Sequence, residues 1–253
     1  MPAVFQLDEA REFNLSVHVG HPFPVGDSTL DQDRIARFVA ISRNGATQID
    51  EYSEQLSFLS AAFKPSGAGE HVILLETKRK YLILKPDVFN LYLEKDGLPE
   101  ILEKRRREGL LATPGRELYT RSVKTFVRVG HGDPEGLFTL PVGSEIELVP
   151  RSDPLALVVG DLLEFRLLAQ GQALAAHPVQ AGSETERSKG SPHQTVTDEQ
   201  GRGAFRLDRE GMWFVRTIHM VPAGQNADGA RWRSYWAMMT FEVGPPKEPP
   251  LPE

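Results

Sequence analysis

The sequence predicts a mainly β fold with two β-sandwich domains. The first domain carries a short helical insertion, and the second is Ig-like or transthyretin-like. Two observations lead to this class: many short stretches alternate apolar and polar residues, and turn signals recur about every 8–12 residues. A third observation predicts the helical insertion: a single region has apolar residues at helical spacing.

The first domain is predicted from a series of short strands. Residues 13–19 place apolar side chains on one face and polar ones on the other, as in a half-buried strand. Strands are also predicted at 34–41, 71–77 and 81–84, where apolar residues run between turn signals. Residues 55–63 have mixed periodicity, which fits either a strand or a short helix.

A helical insertion is predicted at about 86–109. Val88, Leu91 and Tyr92 recur at helical spacing after a proline that suits a first helical turn. Gly97 and Pro99 interrupt the pattern, so the region divides into two short helices. An alternating strand at 122–129 follows.

The stretch 145–154 is interpreted as the crossing between the domains, so the predicted domains are residues 1–148 and 149–243. The second domain contains short strands and turns, among them the module 195–220. Residues 181–194 are polar and are predicted to be mobile. The tail 244–253 is rich in proline and is predicted to be disordered.

Composition excludes several classes of protein. The net charge is −6 and no long basic run occurs, so nucleic acid is not an expected partner. The absence of cysteine excludes disulfides and thiol catalysis. No run of 18 apolar residues occurs, so no direct membrane insertion is expected. The sequence as given shows no signal peptide. No enzyme motif is present, and the chain is predicted to be non-enzymatic.

Three histidines are candidate metal ligands: His18, His21 and His219. Imidazole suits nickel, cobalt and copper better than magnesium or calcium. His18 and His21 flank a strand end and a Gly-Pro loop, while His219 ends a predicted strand beside Met220. The alternative is that His219 is a hydrogen-bonded core residue, because it shares a strand face with Trp213.

A second candidate site consists of Tyr119, Arg121 and Lys124. Arginine binds carboxylates and other anions in a bidentate manner, so this group is a possible anion site. The alternative is a structural polar cluster that ties the helical insertion to the sheet. Further along, Trp232 and Trp236 share one strand face, and they fit either a sugar-stacking platform or core packing.

Several segments carry a resemblance to a known family. They are VGHPFP, the helix from Tyr92 to Leu98, GRELYTRSVKTFVRVG, the VTDEQGRGAFRL…GMWFVRTIHM module and WRSYWAMMTFEV. Their order over residues 5–243 resembles a bacterial family of unknown function whose members are labelled NikM-like, or periplasmic component of a cobalt or nickel ABC-type uptake system. The sequence departs from that family in lacking its usual signal peptide and a histidine-containing segment near the N-terminus.

The resemblance implies an extracytoplasmic, periplasmic binding protein associated with transition-metal uptake. Its ligand would be a nickel or cobalt ion, and its partner a component of a membrane transporter. The alternative is a β-sandwich structural or interaction module that binds protein or glycan without a metal. The oligomeric state is not predicted.

Overall fold

A computed structural model describes residues 1–20, 23–184, 193–224 and 229–246, and strands make up most of its regular structure. The mainly β class is therefore confirmed. The strands up to the middle of the chain are β1 (Gln6–Leu7), β2 (Phe13–Val19), β3 (Ser28–Thr29), β4 (Ile35–Ser42), β5 (Gly45–Gln48), β6 (Tyr52–Glu54), β7 (Leu59–Phe63), β8 (Gly69–Thr77), β9 (Lys80–Leu84) and β10 (Gly115–Val129). The later strands are β11 (Ile146–Pro150), β12 (Leu162–Ala169), β13 (Gln172–Ala173), β14 (Pro178–Ser183), β15 (His193–Val196), β16 (Arg202–Arg206), β17 (Gly211–Pro222) and β18 (Trp232–Val243). Two helices, α1 (Pro86–Lys95) and α2 (Pro99–Arg107), lie between β9 and β10.

A ten-stranded sheet forms the centre of the molecule, with the order β15-β14-β17-β18-β10-β8-β4-β5. β1 and β9 also pair with β10. β10 and β18 run parallel, with the register Glu117 to Trp232 through Thr125 to Thr240. This central sheet joins strands from both sides of the predicted boundary at 148/149, and the division into two domains stays a prediction.

One face of the central sheet, here called the packed face, is covered by a second sheet of β11, β12, β13 and β16. The core between them contains large aromatic side chains, including Phe126, Phe165, Trp213 and Phe241, each 1% exposed or less. Burying such side chains stabilises the fold by about 1.5–3 kcal/mol each.

The other face, here called the open face, is covered in two places. A third sheet of β3, β2, β7 and β6 packs on one end, where Leu15, Phe38 and Ile73 are buried together. α1 and α2 pack on the other end, where Phe89 meets Trp232 and other side chains of β17 and β18. A gap between the two coverings leaves a cavity.

The predicted helical insertion is confirmed as two short helices. Pro86 and Pro99 occupy first-turn positions, where a missing backbone N–H removes no helical hydrogen bond. Between the helices Gly97 has φ +77°, which a residue with a side chain rarely adopts. The buried Arg105 donates hydrogen bonds to the carbonyls of Leu110 and Thr113, both at 2.8 Å, and so fixes the chain after α2.

Two local predictions are resolved by the structure. The ambiguous stretch 55–63 forms strand β7 at its C-terminal end. The segment 181–194, predicted to be mobile, carries strand residues at both ends, where β14 and β15 form and pair with each other. β14 also pairs with β17, and its small side chains are buried in the sheet. Residues 185–192 and most of the predicted proline-rich tail, 247–253, lie outside the described residues.

Neither helix of the described chain has the length or the apolar character needed to cross a membrane.

Candidate functional site

The cavity on the open face has a volume of about 670 Å³. Strands β17, β18, β10 and β8 form its floor, while β2 and the segment that begins at Phe23 form the opposite wall. Most of the lining is apolar, with Val17, Phe23, Phe214 and Met238 among the contributing side chains. An apolar concave site with few polar groups is the usual form of a small-molecule site.

Alternation along β10 decides which side chains reach this cavity. Side chains on successive strand residues point to opposite faces. Val127 packs in the core under the third sheet and Phe126 in the core under the second, so odd-numbered residues of β10 face the open side. Tyr119 and Arg121 are therefore on the open face. The parallel register sets Arg121 beside Trp236 of β18.

Arg121 is a cation that has no counter-ion among the residues the structure describes. Its guanidinium carbon lies 5.0 Å from the ring centre of Trp236 and 5.2 Å from that of Tyr119. No described carboxylate lies within 4.0 Å of its nitrogens, and its Nε is buried with no hydrogen-bond partner in that part of the chain. Burial lowers the pKa of Arg121 from its usual value, although a guanidinium stays charged in proteins. The site therefore holds an unneutralised positive charge.

The side chains next to Arg121 do not neutralise its positive charge. Arg34 lies 5.0 Å from the centre of the Tyr119 ring and donates from Nη1 to the tyrosine hydroxyl at 2.9 Å, which adds a second positive group. The nearby Glu117 carboxyl is fully buried and accepts hydrogen bonds from Ser234 and from Tyr92. Burial raises the pKa of Glu117, which favours its neutral form. No oxygen of Glu117 lies within 4.0 Å of an Arg121 nitrogen, so the two side chains do not form an ion pair.

A second arginine lines the cavity, and it is already paired. Arg216 Nη2 lies 2.8 Å from Asp96 Oδ1, on the residue that follows α1. Gln180 Oε1 accepts hydrogen bonds from Arg216 Nε at 3.1 Å and from Nη2 at 2.9 Å. The Arg216–Asp96 pair contributes no net charge, so the two arginines of the cavity differ in what they can offer a ligand.

Lys124 does not join Tyr119 and Arg121. It lies on the packed face, where its Nζ is 2.8 Å from Glu147 Oε1 and both side chains are buried. Glu147 also accepts hydrogen bonds from the backbone N–H groups of Val142 and Gly143. Of the three residues predicted together, the structure places two in the cavity and one in a core ion pair.

The two predicted histidines that the structure describes, His18 and His219, lie in different parts of the fold. His18 lies on β2 with its ring 5.1 Å from Phe58, at the edge of the cavity. His219 lies on β17 in the central sheet, and no ring contact joins it to His18 in the described chain. His21 lies outside the described residues. Among the residues with a described position, no group of three or more histidine, aspartate or glutamate side chains is arranged to hold a metal ion.

His219 instead has a partner that the sequence did not indicate, His177. Their ring centres are 5.3 Å apart, and the ring of Tyr235 lies 6.4 Å from that of His219. His177 Nε2 is 3.2 Å from the carbonyl of Ile218. Because a carbonyl only accepts, Nε2 carries the proton and Nδ1 keeps its lone pair. Burial lowers the pKa of His177 to about 4, with a further contribution from His219, so the ring is neutral at pH 7.

The two tryptophans of β18 serve as packing residues. Trp232 is 1% exposed and lies in the core under the helices. Trp236 stacks on Tyr92, with ring centres 5.8 Å apart and planes 10° apart. Stacked aromatic pairs stabilise by about 0.5–1.5 kcal/mol beyond their burial. Trp236 therefore packs against the guanidinium of Arg121, and Tyr92 of α1 holds the Trp236 ring in place.

These features define a mainly β protein with three sheets and one cavity of ligand size on the open face. The chain belongs to the family described as a domain of unknown function, DUF4198, whose model matches residues 1–221. No curated protein matches the chain.

Proposed function

We propose that this protein is a non-enzymatic binding protein that holds a small organic anion in the open-face cavity. The observation that supports the proposal is Arg121, which is half-buried beside an apolar cavity and forms no ion pair with any described residue. Removing a charge from water without a partner is unfavourable. An anion that pairs with Arg121 offsets that penalty and can do so through two parallel hydrogen bonds.

The size and lining of the cavity limit which ligands can fit. Ligand sites usually measure about 300–1,000 Å³, and this cavity has a volume of about 670 Å³. Its walls consist mainly of Val17, Phe23, Phe214 and Met238, so an apolar ligand body gains from leaving water. A carboxylate attached to an aliphatic or aromatic body fits this arrangement.

Isothermal titration with a series from hexanoate to dodecanoate tests the proposal. We expect decanoate and its neighbours in the series to bind, and Arg121→Gln to weaken them about tenfold or more, since loss of a charge-assisted pair removes about 1.5–3 kcal/mol. Arg116→Gln is the matched control, because Arg116 is an exposed arginine on the same strand. Equal affinity in the Arg121 variant and the natural protein, or no binding at millimolar concentration, would refute the proposal.

The finer fold and the location belong to the same proposal. We infer that the central sheet and the second sheet form a β-sandwich of Ig-like or transthyretin-like type, because they enclose one aromatic core. We also propose a periplasmic location and a membrane transporter as partner. The resemblance of segments such as GRELYTRSVKTFVRVG to proteins labelled as periplasmic uptake components supports both.

Transition-metal binding is a second candidate function, favoured by the contact between His177 and His219. Two neutral imidazoles with ring centres 5.3 Å apart offer nitrogen donors of the kind that nickel, cobalt and copper prefer. Metal binding to the native state raises the melting temperature. We expect nickel or cobalt to raise it, and His177→Ala or His219→Ala to abolish the rise.

The exposed His131 provides the control for the metal test, since His131→Ala should leave the rise unchanged. A rise that survives both alanine variants would exclude the histidine pair as the metal site. The absence of any rise at millimolar metal would exclude metal binding by this chain.

A further inference from the structure

We propose that the cavity selects monoanions over dianions, and that Asp96 is the residue that sets this specificity. The inference rests on the proposed function and goes further, because it names the charge of the ligand. It follows from a difference between the two arginines of the cavity. Arg216 is paired with Asp96, whereas Arg121 has no carboxylate partner among the described residues.

The ionisable groups that line the cavity within the described residues are few. They are Arg121, Arg216, Asp96, His18 and the amino group of Met1. Burial lowers the pKa of the Met1 amino group to about 5 and also lowers the pKa of His18, so both are neutral at pH 7. Asp96 neutralises Arg216. One uncompensated positive charge, that of Arg121, therefore faces the cavity.

The register of the floor strands separates the two arginines. Arg121 lies beside Trp236, while Arg216 lies opposite Met238 on the far side of β18. Two strand spacings put their backbones about 10 Å apart across the sheet, and two residues along the strand add an offset of about 7 Å. Val123 and Met238 occupy the floor between them and present apolar surface.

A ligand with its carboxylate on Arg121 therefore extends over an apolar floor toward Arg216. A methyl group at that end gains free energy when it leaves water. A second carboxylate reaches an arginine that Asp96 and Gln180 already hold, and it is repelled by the Asp96 carboxylate. Its desolvation is not compensated by a new ion pair, so the dianion binds less tightly.

Arg34 does not alter this comparison. It adds positive potential near Tyr119, at the end of the cavity that mono- and dicarboxylates both occupy. Its effect on the two ligands is therefore similar. The difference between them arises at the Arg216 end.

Decanoate and sebacate, which have the same carbon number and differ in one terminal carboxylate, provide the test. We expect the natural protein to prefer decanoate by about tenfold or more, and Arg121→Gln to weaken both ligands. Asp96→Asn frees Arg216 and should strengthen sebacate by about tenfold, with decanoate changed by less than about threefold. Asp96→Ser serves the same purpose if the asparagine variant does not fold.

The results separate the two levels of the proposal. Equal binding of decanoate and sebacate by the natural protein, or no gain for sebacate in both Asp96 variants, overturns the inference while anion binding stands. Binding of neither ligand, or binding that Arg121→Gln leaves unchanged, overturns the proposed function together with the inference.

Discussion

The two faces of the central sheet give a positively charged side chain different surroundings. Lys124 and Arg121 lie three residues apart on β10, and both carry a positive charge out of bulk water. On the packed face Lys124 meets Glu147 at 2.8 Å. On the open face Arg121 meets two aromatic rings and no carboxylate among the described residues. The comparison separates a charge that a buried carboxylate neutralises from one that has no counter-ion among the described residues.

The largest expected change in stability comes from removing the partner of the buried Lys124. Glu147→Gln leaves Lys124 buried without a counter-ion, which should destabilise the protein by about 3–5 kcal/mol. Urea unfolding at pH 7 measures the loss. Arg121→Gln is the comparison on the other face and should show no such loss. Similar losses in the two variants would contradict the distinction between the faces.

A smaller effect concerns the pair formed by His177, which directly precedes β14, and His219 of β17. The pKa of His177 is about 4 in the folded state, against 6.5 for an unperturbed histidine. The unfolded chain therefore takes up a proton first, so stability present above pH 6.5 is lost as the pH falls toward 4. Between pH 7 and pH 4.5 the loss corresponds to roughly 2–3 kcal/mol.

Unfolding free energies at pH 7 and pH 4.5 check this prediction. Other groups also titrate in that range, so the quantity to compare is the change between the two pH values in the natural protein and in His177→Gln. The variant should lose less stability on acidification. An identical loss in the two proteins would show that His177 is not protected from protonation.

Arg121 itself provides the next effect, which is smaller than that of Glu147→Gln because two contributions oppose each other. Replacing an unpaired half-buried guanidinium with glutamine removes a desolvated charge, although it also removes ring contacts worth about 0.5–1 kcal/mol each. We expect a net change within about 1 kcal/mol. A loss as large as that of Glu147→Gln in urea unfolding would mean that Arg121 is a structural residue.

The smallest effect comes from an ion pair outside both faces. Lys104 and Glu108 are 3.1 Å apart on the exposed side of α2, with 41% and 38% of their side chains exposed. Exposed pairs at this spacing contribute about 0.3–0.5 kcal/mol. Lys104→Gln should change the unfolding free energy by no more than that. A larger loss would show that burial does not determine how much an ion pair contributes to stability in this protein.

The strand pattern of the fold was largely readable from the sequence. Residues 13–19 alternate cleanly and form β2 over that same span. The two prolines and the glycine of residues 86–99 placed the helices. β14 was missed because its side chains are small or polar, and its stability comes from backbone pairing with β17. No local pattern reports such long-range pairing.

The candidate site was only partly accessible to the same reasoning. Alternation places Tyr119 and Arg121 on one face and Lys124 on the other, so period-two spacing alone could have separated them. The pairing of Arg216 with Asp96 joins residues that are 120 positions apart, and the sequence carries no signal for it. The same holds for His177 and His219, whose contact depends on how β14 aligns with β17.

The parallel pairing of β10 with β18 has a consequence for the order of folding. β10 lies at the centre of the sheet, yet one of its neighbours is β18, the last strand among the described residues. A contact between such distant segments requires closure of a long loop, which slows folding. The central sheet can therefore close only after residues up to Val243 have left the ribosome.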